Sequence, residues 1–354
     1  MAGSAASADP VAVSALRSWL QARDWDRLQR HFAAVAPATA DDFEARALLT
    51  MALQPGPDGA RRALADLRQA CALQPGNVLA AANLMQALID AGDAVQALRL
   101  TTDAMRQAPH IQPLAEKHAW ALVALARWDE AQAAAAHALG VARAASATPA
   151  PALAALADEL RGGWWRPLAL GGVTLRLPAD ADQAFVAQCF GSPAFIARYR
   201  RFQATDAAAV GGFIDLARRR PRQTGRIDWI VCQGAQPLGL ASLSDLDFKH
   251  RRGELLVGLL DPDARAPVGL KASLAVMDCA FNGFGLRKLV SYVYGDNPAA
   301  QANTLHLGLR QEGLLRAQLL TAEGPLDLYV NGLLADEFHA DARLQRLLAR
   351  WRAG

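Results

Sequence analysis

Apolar residues recur along this chain in two rhythms, and the change from one to the other falls near residue 160. Up to that point the spacing is helical. Val13, Leu16, Trp19 and Leu20 share one face, and Leu28, Phe32 and Val35 share a face of the next segment, which Pro37 ends. A longer rhythm lies over the helical one: Pro75 and Pro109 stand 34 residues apart (109 − 75), and Ala63, Ala97 and Ala131 keep the same interval, as do Ala70, Ala104 and Ala138. Small residues at a fixed period let paired helices approach, and Gly92 permits a tight turn between partners. Pro55-Gly-Pro-Asp-Gly59 reads as a short insertion, Ala147 to Pro151 as a break, Leu153 to Leu160 as a closing helix, and Arg161 to Pro167 as a hinge of glycine and aromatics.

Beyond the hinge, short apolar runs alternate with helical stretches. Val173 to Leu177 is a predicted strand, and helices follow at about 181 to 190 and 206 to 219. Trp229 to Cys232 and Leu238 to Leu243 read as a hairpin across Gln233 to Pro237, and Glu254 to Leu260 adds a third strand to the meander. Asp261 to Val268 holds two prolines that stop that strand. Leu270, Leu274, Met277 and Phe281 then sit at helical spacing, so a helix starts at or near Gly269. Lys288 to Tyr294 is a further strand. Asn297 caps a short helix with Pro298 in its first turn, ending near Gly308, and strands near 314 to 320 and 326 to 333 close the chain. The organisation expected is a helical domain over 1–161, a linker over 162–171 and an α/β (α+β) domain over 172–354.

Composition narrows the classes. With 354 residues, 52% hydrophobic and 20% charged, the chain is long enough for two buried cores. A net charge of +3 argues against a dedicated nucleic-acid binder, and the basic clusters Arg218 to Arg222 and Lys249 to Arg252 read as solvated surface. Cys71, Cys189, Cys232 and Cys279 have no metal-ligand or paired spacing, so each is expected to be a small buried hydrophobe, with no metal site. The first ten residues lack the pattern of a signal peptide and no apolar run reaches membrane length, which makes a reducing cytoplasm the expected compartment, without membrane partners.

The candidate chemistry sits between Glu254 and Gly308, where strand, loop, helix, strand, loop and helix follow one another. A helix N-terminus binds pyrophosphate well, because free N–H groups and the macrodipole both favour an anion. Gly269 lets the backbone come close, and Lys271 adds positive charge in the first turn.

Residues 172 to 335 resemble the GNAT N-acetyltransferases, on Val173-Thr-Leu-Arg-Leu-Pro, Pro237-Leu-Gly-Leu-Ala-Ser-Leu, Asp245 to Glu254, Gly269 ahead of Phe281, and Asn297-Pro-Ala-Ala300 ahead of Gly308. The resemblance leans towards the branch of amino-sugar and ribosomal-protein acetyltransferases. The 34-residue period resembles a tetratricopeptide array of about three degenerate repeats, which stacks into a curved slab and offers a surface to a protein partner. Two departures stand out: Arg265-Ala-Pro-Val-Gly269-Leu-Lys271 has Pro267 where the family's loop carries a further glycine, and Thr304 stands where the amino-sugar branch has a tyrosine acid.

The resemblance implies a multidomain acyl-CoA-dependent N-acyltransferase, an all-α tetratricopeptide-like solenoid followed by a GNAT domain, with acetyl-CoA or another acyl-CoA as donor. Leu256, Val257, Gly258, Val268, Gly269, Leu270, Lys271, Asn297 and Asn303 are the expected cofactor-binding residues. Glu254 is the expected general base, with His250 as second candidate, and the leaving-group step falls to the Thr304 position, to His306, to water or to one of Tyr292 and Tyr294, or is not carried out at all. Tyr199, Arg200 and Phe202 are expected to shape the acceptor pocket. The implied acceptor is a small-molecule amine, preferentially a nucleotide-linked amino sugar for surface or flagellar glycan synthesis. The rival readings are a protein N-acetyltransferase that recruits substrate through the helices, and a scaffold whose GNAT domain has lost turnover.

Overall fold

The computed structural model describes residues 10–261 and 267–352. The N-terminal ten residues read above fall outside these but for Pro10, and so does Arg265 of the loop before Gly269. The chain divides into two compact units between Ala157 and Asp158.

The first unit is helical: α1 (Pro10–Ala22), α2 (Trp25–Ala34), α3 (Ala40–Leu53), α4 (Pro57–Leu73), α5 (Val78–Asp90), α6 (Ala94–Gln107), α7 (Gln112–Ala124) and α8 (Trp128–Ala144), before α9 (Pro151–Arg161). Caps set the helix starts. Thr39 and Asp42 form a reciprocal capping box on α3, while Asn77 and Asp93 accept first-turn N–H groups of α5 and α6. The starts of α5 and α7 are 34 residues apart (112 − 78), as are those of α6 and α8 (128 − 94). Ala63, Ala97 and Ala131, at that same period, are wholly buried, so the small residues stand where neighbouring helices press together. Leu67 and Leu88 fill the core between them.

The second unit is built on one mixed sheet of β1 (Leu168–Leu170), β2 (Val173–Arg176), β3 (Ile227–Gln233), β4 (Gln236–Asp247), β5 (Arg252–Leu259), β6 (Lys288–Tyr294), β7 (Arg310–Thr321) and β8 (Gly324–Leu334). The order across the sheet is β1-β2-β3-β4-β5-β6-β8-β7, antiparallel throughout except for the parallel pair β5 and β6. One face carries α10 (Gln183–Gly191), α11 (Pro193–Tyr199) and α12 (Ala207–Ala217), through a core of Val186, Phe190, Phe195, Phe213, Ile230 and Leu240; α13 (Pro221–Thr224) leads into β3. The remaining helices are α14 (Val268–Asp278), which continues into a π turn over Cys279–Gly283, α15 (Pro298–His306), α16 (Ala335–Ala340) and α17 (Ala342–Arg352). Helix α14 packs on β1, β2, β4 and β5.

The segment read as a linker is structured instead. Leu168–Leu170 pairs with β2 across Gly171 and Gly172, both at positive φ (57° and 78°), the conformation a two-residue hairpin turn demands. Trp164, in the hinge, is 1% exposed. Cys189, Cys232 and Cys279 are buried and Cys71 half-buried; burial pushes the Cys189 and Cys279 thiols up to about 12. No helix among the described residues is long and apolar enough to cross a membrane.

Within the second unit, the buried carboxylate of Glu159 holds the turn before β3. Glu159 is fully buried and accepts from Arg220 Nη1 at 2.9 Å and from the Arg222 N–H at 2.8 Å. Removing one member of such a pair leaves the other desolvated and unmatched. E159A is expected to lower the stability of the second unit by roughly 3 kcal/mol, and E159Q by less. Urea unfolding followed by tryptophan fluorescence checks this, and an unchanged midpoint for E159A would refute it.

Candidate active site

Strands β5 and β6 run parallel for only three residue pairs, Arg252 with Lys288, Gly253 with Leu289 and Glu254 with Val290. After that they part. Each stays with its outer neighbour, since β5 remains paired with β4 as far as Leu259 and β6 with β8 as far as Tyr294. Among the described residues the divergence leaves the inner edge of β5 beyond Glu254 without a partner strand, and a cleft of about 470 Å³ opens there. Leu255, Leu256, Val257 and Leu259 form one wall, and Ser291 to Tyr294 form the other. Gly269, Leu270 and Ser273 of α14 and Asn297, Ala300, Asn303, Thr304 and Leu307 of the α15 region complete it, with Arg198 and Tyr199 at the α11 side.

The cleft presents two kinds of backbone donor. The inner edge of β5 offers unpaired peptide groups to an extended, amide-bearing ligand, as an added strand would find them. Among the described residues no side chain caps the first turn of α14, so its leading N–H groups are directed out of the helix around Gly269. Among the described residues a methyl group at Gly269 would meet only Leu259 Cδ1, at 3.7 Å, so the backbone is open to close approach.

A row of polar groups crosses the sheet beneath α11. Arg226 holds Asp228 through two bonds, Nε to Oδ2 at 2.7 Å and Nη2 to Oδ1 at 2.5 Å. Ser242 donates to the same carboxylate, and Tyr199 Oη lies 2.6 Å from Ser242 Oγ, so the phenol donates to the serine. Burial raises the Tyr199 phenol, with Asp228 adding to it. Two residues along β4, on the same face, Ser244 donates to Glu254 Oε2 at 2.9 Å. Burial lifts the Glu254 carboxyl above the usual carboxylate range, while the Ser244 hydrogen bond and the Arg200 and Arg226 guanidinium groups pull the other way. Glu254 thus adjoins the cleft at its closed end, a half-buried carboxylate on the last residue before the strands separate.

Of the residues singled out from sequence, Tyr199, Leu256, Val257, Gly269, Leu270, Asn297, Asn303, Thr304 and His306 line the cleft, and Glu254 adjoins it. Asn297 also caps α15, accepting from the Ala300 N–H at 3.1 Å. Others are placed elsewhere. His250 is exposed in the turn ahead of β5, with its N–H on Asp247 Oδ1, at the opposite end of the strand from the cleft. Lys271 donates to the Gly171 carbonyl at 2.6 Å and lies over the Trp351 ring, so its charge is spent on β1, β2 and α17 rather than offered to a phosphate. Val268 is 2% exposed and belongs to the core. Gly258 faces α11, where a Cβ would come within 2.8 Å of the Tyr199 ring and 3.0 Å of Phe195. Phe202 is 59% exposed, and Arg200 is half-buried beside the cleft rather than on its wall.

Of the polar row, Tyr199 and Glu254 are picked out from sequence, whereas Arg226, Asp228, Ser242 and Ser244 are not. The row's signal lies in Ser242 and Ser244, two small polar residues at i and i+2 in a run otherwise apolar, on the same sheet face as Asp228. Tyr294, which lines the cleft, accepts from the Arg201 N–H at 3.1 Å and carries the Arg201 guanidinium over its ring at 5.0 Å. Arg201 in turn pairs with Asp296 at 2.6 Å.

Residues 173–310 match the family model described as the acetyltransferase (GNAT) domain. The second unit therefore carries an acetyltransferase domain of the GNAT class, whose chemistry is N-acyl transfer from acetyl-CoA. Among solved structures, spermidine N-acetyltransferase from Vibrio cholerae in complex with CoA and spermine is similar to 48% of this chain over 98% of its own, at 16% identity and a TM-score of 0.43. A protein from T. thermophilus that carries the name acetyltransferase without a stated substrate is similar to 52% of this chain over 96% of its own, at 23% identity and a TM-score of 0.43. No curated protein matches the chain.

The Ser244 bond gives a direct check on the carboxylate. It stabilises the charged form, so S244A is expected to raise the Glu254 carboxyl further, shifting its titration to higher pH. Carbon-detected NMR of the Glu254 side chain measures this, and a downward shift would contradict the geometry.

Proposed function

We propose that the chain transfers an acetyl group from acetyl-CoA to the amine of a small acceptor, with Glu254 as general base. The observation that carries this is the half-buried carboxylate at the point where β5 and β6 separate into an open cleft. The residues present suit the donor: the inner edge of β5 from Leu255 to Leu259 would hold its amide-rich arm, and the α14 N-terminus at Gly269 would hold its pyrophosphate. Acetyl-CoA, when bound, supplies the acetyl group as a thioester. Glu254 takes a proton from the incoming amine, and an unpaired β5 N–H polarises the carbonyl under attack. Tyr294 is the group best placed to return a proton to the leaving sulfur, because its oxygen already accepts from Arg201 and its own O–H is left to donate. Thr304 is an alcohol on the cleft wall, and His306 is exposed and turned towards Arg343.

Arg198 on the cleft wall and Arg200 beside it, with Arg201 already paired to Asp296, favour an acceptor with its own negative charge. A nucleotide-linked amino sugar meets that condition, and a polyamine is the less favoured acceptor. The first unit, with helix pairs recurring at 34 residues, is read as a tetratricopeptide-like stack offering a surface to a protein partner. If instead that stack recruits a protein substrate, peptides will outrun amino sugars as acceptors.

Calorimetric titration of the full chain with acetyl-CoA, followed by CoA release over a panel of amino sugars and peptides, tests the reading. Absence of heat at high concentration would leave a scaffold. E254Q should lower kcat by about a hundred-fold or more. In the unmodified protein the rate should fall as pH drops through the raised Glu254 value, since protonation removes the base. Y294F should lower kcat by about ten-fold, and a normal rate would remove Tyr294 from the leaving-group step.

A further inference from the structure

The turn that follows α11 holds polar atoms that the protein itself does not satisfy. Arg200 Nε and Nη2 and Gln203 Nε2 are buried, and among the described residues none has a hydrogen-bond partner. The two side chains come from the ends of one tight turn, closed by the Gln203 N–H on the Arg200 carbonyl at 3.2 Å. Neighbouring contacts hold the turn in place. Arg201 is fixed to Tyr294 and Asp296, and the two residues before Arg200, Arg198 and Tyr199, lie on the cleft wall.

The nearby carboxylates are already engaged. Asp228 is held by Arg226 and Ser242, Asp296 by Arg201, and Glu254 accepts from Ser244. A guanidinium and an amide that keep three buried donors unpaired are costly to the fold and are complementary to an oxyanion, which accepts from a two-pronged guanidinium edge and an added N–H together. Tyr199, the residue before Arg200, lines the cleft that Glu254 adjoins, so a group bound there lies within reach of the molecule whose amine Glu254 deprotonates.

We propose that Arg200 and Gln203 form a subsite for an oxyanion, carboxylate or phosphate, carried by the acceptor close to its reacting amine. This rests on the transferase reading above and makes it specific: Arg200 and Gln203 determine which amines are chosen, and Glu254 removes the proton from the amine that attacks.

The test uses the full chain, acetyl-CoA and matched acceptors, β-alanine against β-alaninamide for the carboxylate and phosphoethanolamine against ethanolamine for the phosphate. The charged member of at least one pair should show the higher kcat/KM, and the pair that does so identifies the oxyanion. R200K and Q203E should each reduce that preference by about ten-fold or more, through KM of the charged acceptor rather than through kcat. Q203E, a change of similar volume, keeps the test open should R200K fold poorly. If both variants lose charged and neutral acceptors equally, with the acid limb of the pH profile displaced, Arg200 serves Glu254 instead and the subsite is refuted. No charge preference in the unmodified protein would also refute it while leaving the transferase intact. If no amine releases CoA, the transferase reading fails and the subsite goes with it.

Discussion

The loss of pairing between β5 and β6 after Glu254 is the constraint from which the rest of the site follows. A parallel pair that continued would satisfy its own peptide groups and leave no space between the strands. Because β4 and β8 each hold their neighbour to its end, the two inner strands diverge without melting, and the exposed peptide edge stays rigid. That edge is a preorganised row of donors and acceptors, and such rows bind without a further ordering cost. Glu254 is at the closed end of the cleft because it is the last residue to be paired, and its half-burial follows from the same position.

Electrostatics in the cleft come from two sources kept apart by the fold. At the α14 end the attraction for an anion is a backbone property, since Lys271 is drawn away onto the Gly171 carbonyl and Trp351. At the α11 end it comes from side chains on and after that helix. Between them the Arg226 and Asp228 pair sits deep in the sheet, made tolerable by two hydrogen bonds and by Ser242. Tyr199 joins this interior pair to the cleft wall, so α11 is seated by polar as well as apolar contacts, and Gly258 supplies the space in which its rings come down on β5.

Periodicity carries most of the architecture. Lys288 to Tyr294 reads as a strand from its apolar run and is one, and Pro298 opens a helix because Asn297 caps it. The start of α14 also falls within a residue of the position read from Gly269, with Pro267 as its N-cap. Less legible are features decided by what lies opposite in space. Leu168–Leu170 is too short to announce itself, although Gly171 and Gly172 form a recognisable hairpin turn. Lys271 reads as a phosphate ligand from its place in a first turn, but helical geometry directs it to Gly171 and the ring of Trp351, eighty residues away in the chain (351 − 271). His250 fails for a related reason: proximity to Glu254 in sequence puts it at the far end of a strand. Arg200 draws attention in the sequence only through its place in the helix–loop–helix region, and what makes it distinctive, donors buried without partners, is visible only in three dimensions.

The outermost strand, β7, leaves Leu314, Leu315 and Leu320 in solvent along an edge that has no neighbour among the described strands. A long flat edge of that kind invites stacking of one molecule onto the next. Here the register shifts between Leu315 and Leu319, Ala317 takes a positive φ of 51°, and its N–H is captured by the Asp327 side chain at 2.8 Å. The kink divides the margin into two shorter stretches that do not lie on one flat line, an interruption of the kind that blunts edge-to-edge pairing along a leucine-rich border.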